Sequence, residues 1–305
     1  MPEMSETRDQ TQALKDLIAA LRPQPLELRD GGGEFECVHA RPLGMDRLFG
    51  GQVLGQALAA AQVVTGGRLA HSLHAHFLRR GNGHTPIRLS ATTIRKSRAF
   101  ETLEILARQE DSEPILQMVA SFHQDEEGPV HQIPMDAVGP PQGESFEESL
   151  LRAMTPHGFD PLEGGDEEDQ RSFELPVEIR SVGGLGIFSK DVKPPQARCW
   201  LRVRGELPED PALHQCLFAY ASDYAIMAPA LNPHPVSALE MQSYSLDHAI
   251  WFHRPLQIDD WLLFELDSPV ASGARSIGRG LLYTSEGDLV ASCVQEGLLR
   301  PQRQS

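Results

Sequence analysis

Two stretches of the chain are apolar on nearly every helical face, and each is followed by segments in which apolar and polar residues alternate. In LFGGQVLGQALAAAQVV (48–64), Ala57, Leu58, Ala60 and Ala61 surround the helix axis, while Gly51, Gly55 and Ala59 recur at i, i+4 and i+8. This pattern predicts a buried helix with a stripe of small residues that can press against other backbone. A second such stretch predicts a helix from about Leu213 to Ala228, stopped by Pro229 and Asn232-Pro233. Period-two alternation, as in Leu103-Glu104-Ile105 and Leu262-Leu263-Phe264-Glu265-Leu266, predicts strands downstream of each helix. A long central helix wrapped by antiparallel strands, occurring twice, is an α+β arrangement.

The two halves repeat each other in order. LFGGQVLGQALAAAQVV, HSLHAHFLRR, SRAFETLEILARQ and ILQMVASFHQ correspond to HQCLFAYASDYAIMAPAL, YSLDHAIWFHRPL, SGARSIGRGLLYT and LVASCVQEGLL. Matched points keep nearly constant offsets: 175 from Phe77 to Phe252, 175 from Ser97 to Ser272 and 171 from Ala120 to Ala291. Between them, Asp125–Gln170 holds thirteen acidic residues and one basic residue, Arg152, within Pro- and Gly-rich sequence. Such a segment reads as a solvated surface connector, broken by a short helix around Phe146–Met154. The expected division is therefore 1–124, a connector over 125–170, and 171–305.

That connector accounts for most of the formal net charge of −16, which argues against a protein that wraps nucleic acid. With 305 residues, 40% of them hydrophobic, the chain can bury a full core without covalent staples. Cys37, Cys199, Cys216 and Cys293 form no CxxC pair and read as reduced thiols. No run approaches 18 consecutive apolar residues, and MPEMSETRDQTQ has no signal-peptide pattern. The terminal RPQRQS differs from a peroxisomal SKL-type tripeptide, so a cytoplasmic location without membrane insertion is the expectation. Against the acidic background, RRGNGHTPIRLSATTIRKSR carries Arg79, Arg80, Arg88, Arg95, Lys96 and Arg98 with no acid. This window is a candidate docking surface for a small phosphorylated ligand, or simply two Arg-trimmed strand faces.

Among single residues, Asp223 stands out as the only carboxylate between Asp210 and Glu240, set in the apolar run LFAYASDYAIMA. On a buried helix such a group is costly unless paired or used, and burial raises its pKa towards the range of a general base. A solvent-facing or capping Asp fits the same letters. Ser245 heads SLDHAIWFHR, where alternation would group it with Asp247, Ala249 and Trp251 and turn His248 and Phe252 the other way. Gln295 shares a strand face with Ala291 and Cys293, and its amide needs partners there. Taken alone, Ser245 and Gln295 are equally compatible with ordinary strand-edge positions.

The runs FGGQVLGQAL, HSLHAHFLR, YASD, LDHAIWFHRP and VASCVQEG together resemble the acyl-CoA thioesterase II family of double hot-dog proteins, from about Leu43 to Arg300. The resemblance implies a tandem hot-dog fold and hydrolysis of acyl-CoA to free fatty acid and CoA. It also implies that Asp223, Ser245 and Gln295 form the catalytic set. Two positions depart from the family pattern: Arg80 follows the FLR run where a Pro is usual, and Ser245 often is a Thr. Serine offers the same donor and acceptor as threonine. In this setting Asp223, helped by Ser245 and Gln295, would activate a water. Backbone N–H groups at Gly50 and Gly51 would face the thioester oxygen. Arg79, Arg80, Arg95, Arg98 and Arg254 would be candidates for the CoA phosphates. A homodimer or larger homo-oligomer is expected.

Other chemistries lack their motifs. There is no GxSxG, GxxxxGK[ST] or GxGxxG. His74 and His76 would share a strand face near His71, but no Asp, Glu or Cys nearby completes a ligand set, so neither metal nor cofactor is expected. Two alternatives stay open at this point. One is an enoyl-CoA hydratase using Asp247 and His248; the other is a non-catalytic acyl-CoA-binding sensor.

Overall fold

The computed structural model describes residues 10–38, 47–110, 112–154 and 175–302. Helix α1 (Gln12–Ala20) leads into β1 (Gln24–Arg29) and β2 (Gly32–Cys37), followed by α2 (Gly50–Val64). Next come β3 (Ala70–Phe77), β4 (Ile87–Lys96), β5 (Phe100–Arg108) and β6 (Leu116–His123). After α3 (Phe146–Met154) come β7 (Val177–Ser181), β8 (Gln196–Val203) and α4 (Pro211–Ala221). The chain ends in β9 (Met241–Ser245), β10 (Asp247–Phe252), β11 (Leu262–Ser272), β12 (Arg275–Thr284) and β13 (Leu289–Pro301).

The described strands form one antiparallel sheet in the order β1-β2-β4-β5-β6-β3-β10-β13-β12-β11-β8-β7, with β9 also paired to β13. The halves join at β3 and β10, where Leu73 stands opposite Ile250 and His74 opposite Ala249. Helices α2 and α4 lie inside the curved sheet, their side chains largely buried. This is the α+β arrangement that the repeat predicted, and the tandem hot-dog architecture that the resemblance implied. Phe77 and Phe252 end the two joining strands, and Ala120 and Ala291 occupy β6 and β13.

The small-residue stripe sets how closely the helices meet. A Cβ on Gly51 would lie 2.3 Å from the Tyr220 carbonyl oxygen, and one on Gly55 would lie 2.8 Å from that of Cys216. The two helix starts differ. Helix α4 begins with Pro211, and the Asp210 side chain accepts from the Ala212 and Leu213 N–H groups. Helix α2 has no side-chain cap at Phe49, so its first N–H groups are left for a partner elsewhere.

The structure corrects or extends the sequence reading at two points outside the site. Helix α4 ends at Ala221 rather than running to Ala228. The Ser222 hydroxyl turns back to within 3.0 Å of the Ala219 carbonyl, and the Tyr224 N–H reaches only to Ala221. This local bonding replaces the regular ladder, and the chain turns before a separate short helix over Ala228–Leu231. The second point concerns the connector, of which residues 155–170, including PLEGGDEEDQ, lie outside the described residues. Its earlier part is largely exposed, as expected, and is in addition tied to the sheet as a strap. Met135 and Val138 pack on Trp200, Leu263 and Tyr283, which stand side by side across β8, β11 and β12. Trp200 Nε1 donates to the Gly139 carbonyl at 2.8 Å, Gln132 Nε2 donates to that of Gly287 at 2.7 Å, and Arg198 pairs with Asp136. A few apolar residues suffice to cover three large ones, although the segment's composition is polar. Trp200→Ala is accordingly expected to cost about 3–5 kcal/mol of stability. Urea denaturation, with limited proteolysis of the connector, measures this; a cost under about 0.5 kcal/mol, the usual size at a surface position, would mean the strap does not bind the sheet.

Candidate active site

Three polar side chains from separate elements meet beside the start of α2. Because α4 stops at Ala221, Asp223 sits in the turn just past the helix end, and its carboxylate reaches across to the other half. Its Oδ2 accepts the Gly51 N–H at 2.9 Å, which gives the uncapped end of α2 an acceptor. Its Oδ1 accepts from the Ser245 hydroxyl at 3.2 Å, and Gln295 Nε2 donates to that same hydroxyl oxygen at 2.9 Å. A Cβ on Gly50 would stand 2.7 Å from Asp223 Oδ2, so glycine is needed where the carboxylate approaches.

Ser245 is turned towards this cluster by a bulge. It pairs with Gly297, whereas Ala249 pairs with Val294, one residue out of step. Leu246 is the extra residue between β9 and β10, its N–H donating to the Glu296 carbonyl at 2.9 Å. One inserted residue reverses the alternation. Ser245 therefore ends β9 and faces the same side as His248, instead of sharing a face with Asp247, Ala249 and Trp251. Gln295 lies buried on the inner face of β13 with Ala291 and Cys293.

The cluster forms one wall of a cavity of about 610 Å³. Asp223 is half-buried, open to this cavity and enclosed by protein elsewhere. Burial pushes its pKa up to about 6, against the hydrogen bonds from Gly51, Gln295 and Ser245, which pull it down. Such a carboxyl is ionised at neutral pH yet still able to take a proton, which is what a general base needs.

The cavity has two unlike ends. One is apolar and aromatic: Tyr224 lies beside Phe146 of the connector helix, with ring centroids 6.1 Å apart, and Phe146 lies 5.8 Å from Phe188. The other is cationic. Arg47 and Arg80 both stack on the Tyr244 ring, at 4.5 and 5.3 Å from its centre, and Arg80 also donates to the Tyr244 hydroxyl at 2.9 Å. Arg79 lines the cavity as well and donates to the Pro114 carbonyl at 3.0 Å.

The basic window does not act as one surface. Arg79 and Arg80 reach the cavity, but exposed Arg95 and Arg98 stand at the far end of β4, about 30 Å along that strand. Arg254 is also elsewhere, donating to Gln132 and Asp288 at 2.5 Å each. Gly50 and Gly51 do flank the site, but the Gly51 N–H is taken by Asp223 and is not free for a substrate oxygen.

Sequence reasoning missed Arg47, Tyr244 and the role of His248. His248 is fully buried and hydrogen-bonded through Nδ1 to Gln295 Oε1 and through Nε2 to the Ser222 hydroxyl at 3.0 Å. A signal for its burial was present: His248, Ile250 and Phe252 share the apolar parity of LDHAIWF. Arg47 and Tyr244 carry no comparable signal, because cation–aromatic stacking depends on which loops the fold brings together.

Comparison with known proteins gives a consistent result. The acyl-CoA thioesterase family model matches residues 167–298, and the acyl-CoA thioesterase N-terminal domain model matches residues 39–123. The chain is 36% identical over 264 residues to acyl-CoA thioesterase 2 of Haemophilus influenzae, covering 86% of this chain and 90% of that protein. It is also 36% identical over 265 residues to human acyl-coenzyme A thioesterase 8, covering 85% and 82%. Among solved structures, the acyl-CoA thioesterase II TesB2 of Mycobacterium marinum superposes with a TM-score of 0.74 at 30% identity, covering 96% of this chain and 99% of that one.

Proposed function

This chain belongs to the acyl-CoA thioesterase family and hydrolyses acyl-CoA thioesters; we propose that it does so without a covalent intermediate, using Asp223 as general base. The supporting observation is the convergence of Asp223, Ser245 and Gln295 on one wall of a cavity that is apolar at one end and cationic at the other. Ser245 and Gln295 orient a water, whose oxygen attacks the thioester carbonyl carbon while its proton passes to Asp223. The Gly50 N–H, next to the occupied Gly51 N–H at the open start of α2, donates to the developing oxyanion. Collapse of the tetrahedral species breaks the carbon–sulfur bond, and the CoA thiolate takes the proton from Asp223.

The acyl chain extends along the aromatic end, past Tyr224 towards Phe146 and Phe188. The CoA phosphates meet Arg47, Arg79 and Arg80, whose guanidinium groups suit phosphate geometry. Release of free thiol from a panel of acyl-CoAs tests the reading. Activity should rise with pH to a plateau, with its acid limb half-complete near pH 6, because Asp223 must be ionised. A covalent acyl ester trapped on Ser245 would refute the water mechanism. Phe188→Ala should shift the preference towards longer acyl chains by about one methylene's worth of discrimination, roughly tenfold in relative kcat/KM. An unchanged profile would remove Phe188 from the acyl wall.

The other readings fare worse. Asp247 accepts the Glu296 N–H at 2.7 Å, while His248 is buried on the opposite side of the strand, so they do not form one hydratase site. A sensor without activity would release no thiol. Two further points belong to the same proposal. A homodimer or larger homo-oligomer is supported by edge strand β1, whose six residues are all exposed, Leu26 and Leu28 among them. A cytoplasmic location is supported by four buried, unpaired cysteines.

A further inference from the structure

We propose that His248 is a positioning residue for thioester hydrolysis, fixing the Gln295 side-chain amide so that its NH₂ end, and not its oxygen, faces Ser245. The inference rests on the reading of Asp223, Ser245 and Gln295 as the reacting set. His248 does not line the cavity and acts only through Gln295.

A glutamine amide has nearly the same shape in its two flipped orientations, so the hydrogen-bond network has to select one. Ser245 by itself cannot select, because a hydroxyl both donates and accepts. Asp223, which only accepts, favours the NH₂ end, and the partner behind the amide either supports that orientation or opposes it. His248 is wholly buried, and burial lowers its pKa to about 4, so the ring is neutral and carries a single N–H. Nδ1 faces Gln295, and Nε2 faces the Ser222 hydroxyl.

Two arrangements are self-consistent, and they differ at the catalytic carboxylate. In the first, Ser222 donates to His248 Nε2, and Nδ1–H donates to Gln295 Oε1. Gln295 Nε2 then donates to Ser245, and Ser245 donates to Asp223. All four contacts of this chain are then used and its donors run head to tail towards the negative charge, while the Ser222 hydroxyl gives up its alternative acceptor, the Ala219 carbonyl. In the second, Ser222 donates to the Ala219 carbonyl and accepts from Nε2–H. The bare Nδ1 would then need the amide NH₂, and Gln295 Oε1 would turn towards Ser245. The Ser245 hydrogen would be drawn to that oxygen and away from Asp223, and the site would lose the amide donor that holds the water. The geometry points to the first arrangement, with the proton on Nδ1.

Nitrogen-15 NMR of histidine-labelled wild-type protein tests this without a mutation. The expected spectrum for His248 is the neutral tautomer protonated on Nδ1; the Nε2-protonated tautomer overturns the proposal. Kinetics provide the second arm. His248→Leu, which fills the space without a donor, should lower kcat about 10- to 100-fold with KM within about threefold, as expected when an orienting partner is lost. His248→Asn, which can present an amide N–H near the Nδ1 position, should restore most of the kcat. Equal kcat in the Leu variant and wild type overturns the proposal, as does a loss in both variants that tracks their melting temperatures. Failure of the underlying site reading looks different, because Asp223→Asn would then stay active.

Discussion

Asp223→Asn should lower kcat by about a thousandfold or more, the scale of a lost general base, while leaving the protein folded and able to bind acyl-CoA. Asn is close to Asp in shape and can still accept the Gly51 N–H, but it cannot take a proton from water. The same substitution should raise stability at alkaline pH. Burial holds the Asp223 pKa at about 6, above its ordinary value of 3.8. The native state therefore binds this proton more tightly than the unfolded chain does. The stabilisation this provides is complete below about pH 4 and lost as pH rises through 6. Above that, wild type carries a buried charge that the Asn variant lacks, so its melting temperature should fall below the variant's at pH 8 and approach it at pH 5. Thiol-release kinetics, acyl-CoA binding and thermal melts at both pH values check the set. Retained turnover would exclude Asp223 as the base.

Gly51→Ala should damage stability and catalysis together. Alanine favours helix over glycine by about 1 kcal/mol, yet here its Cβ would lie 2.3 Å from the Tyr220 carbonyl oxygen and 2.7 Å from the Phe49 ring. The carbonyl belongs to helix backbone, so relief requires α2 and α4 to move apart. Overpacking of this kind costs about 1–3 kcal/mol, enough to outweigh the gain in propensity. Separation also withdraws the Gly51 N–H from Asp223, which should raise the carboxyl pKa further and move the acid limb of the rate profile upward. A variant with unchanged melting temperature and unchanged pH profile would show that the close helix approach does not set the site. Gly66→Ala is a suitable control, with open space around its Cβ position, although a φ of +71° makes some strain of its own.

The repeat was legible in the sequence because each half carries the same helix period followed by the same strand period. Gly51 and Gly55 announced a close helix contact, and two such glycines meet two carbonyls of α4. The lone carboxylate among apolar neighbours marked Asp223 without any family comparison. What the letters did not contain was the local geometry that brings the set together. The early end of α4 depends on the Tyr224 N–H turning back to Ala221, which no pattern of apolar residues marks. The orientation of Ser245 depends on one bulged residue, Leu246, which looks like any other strand leucine. The arginine window divides for a related reason: a strand of ten residues carries neighbours in sequence far apart in space, so that Arg79 and Arg80 line the cavity and Arg95 does not.

The two helix starts described above bear on how many reaction centres one chain holds. A repeated scaffold offers a pair of related crevices, each set between the beginning of one helix and the end of the other. Among the described residues their side chains differ. Counting from the helix starts, Asp223 comes twelve residues after Pro211, and the residue twelve after Gly50 is Gln62, whose amide donates to the Ala212 carbonyl at 3.3 Å just as Asp223 accepts the Gly51 N–H. The opposite helix start is also closed to a visitor, since Pro211 has no N–H and Asp210 already occupies its own donors. The two-fold likeness of the scaffold is thus not carried into its side chains: from the far end of the opposite helix, an acid reaches into one crevice and a neutral amide into the other.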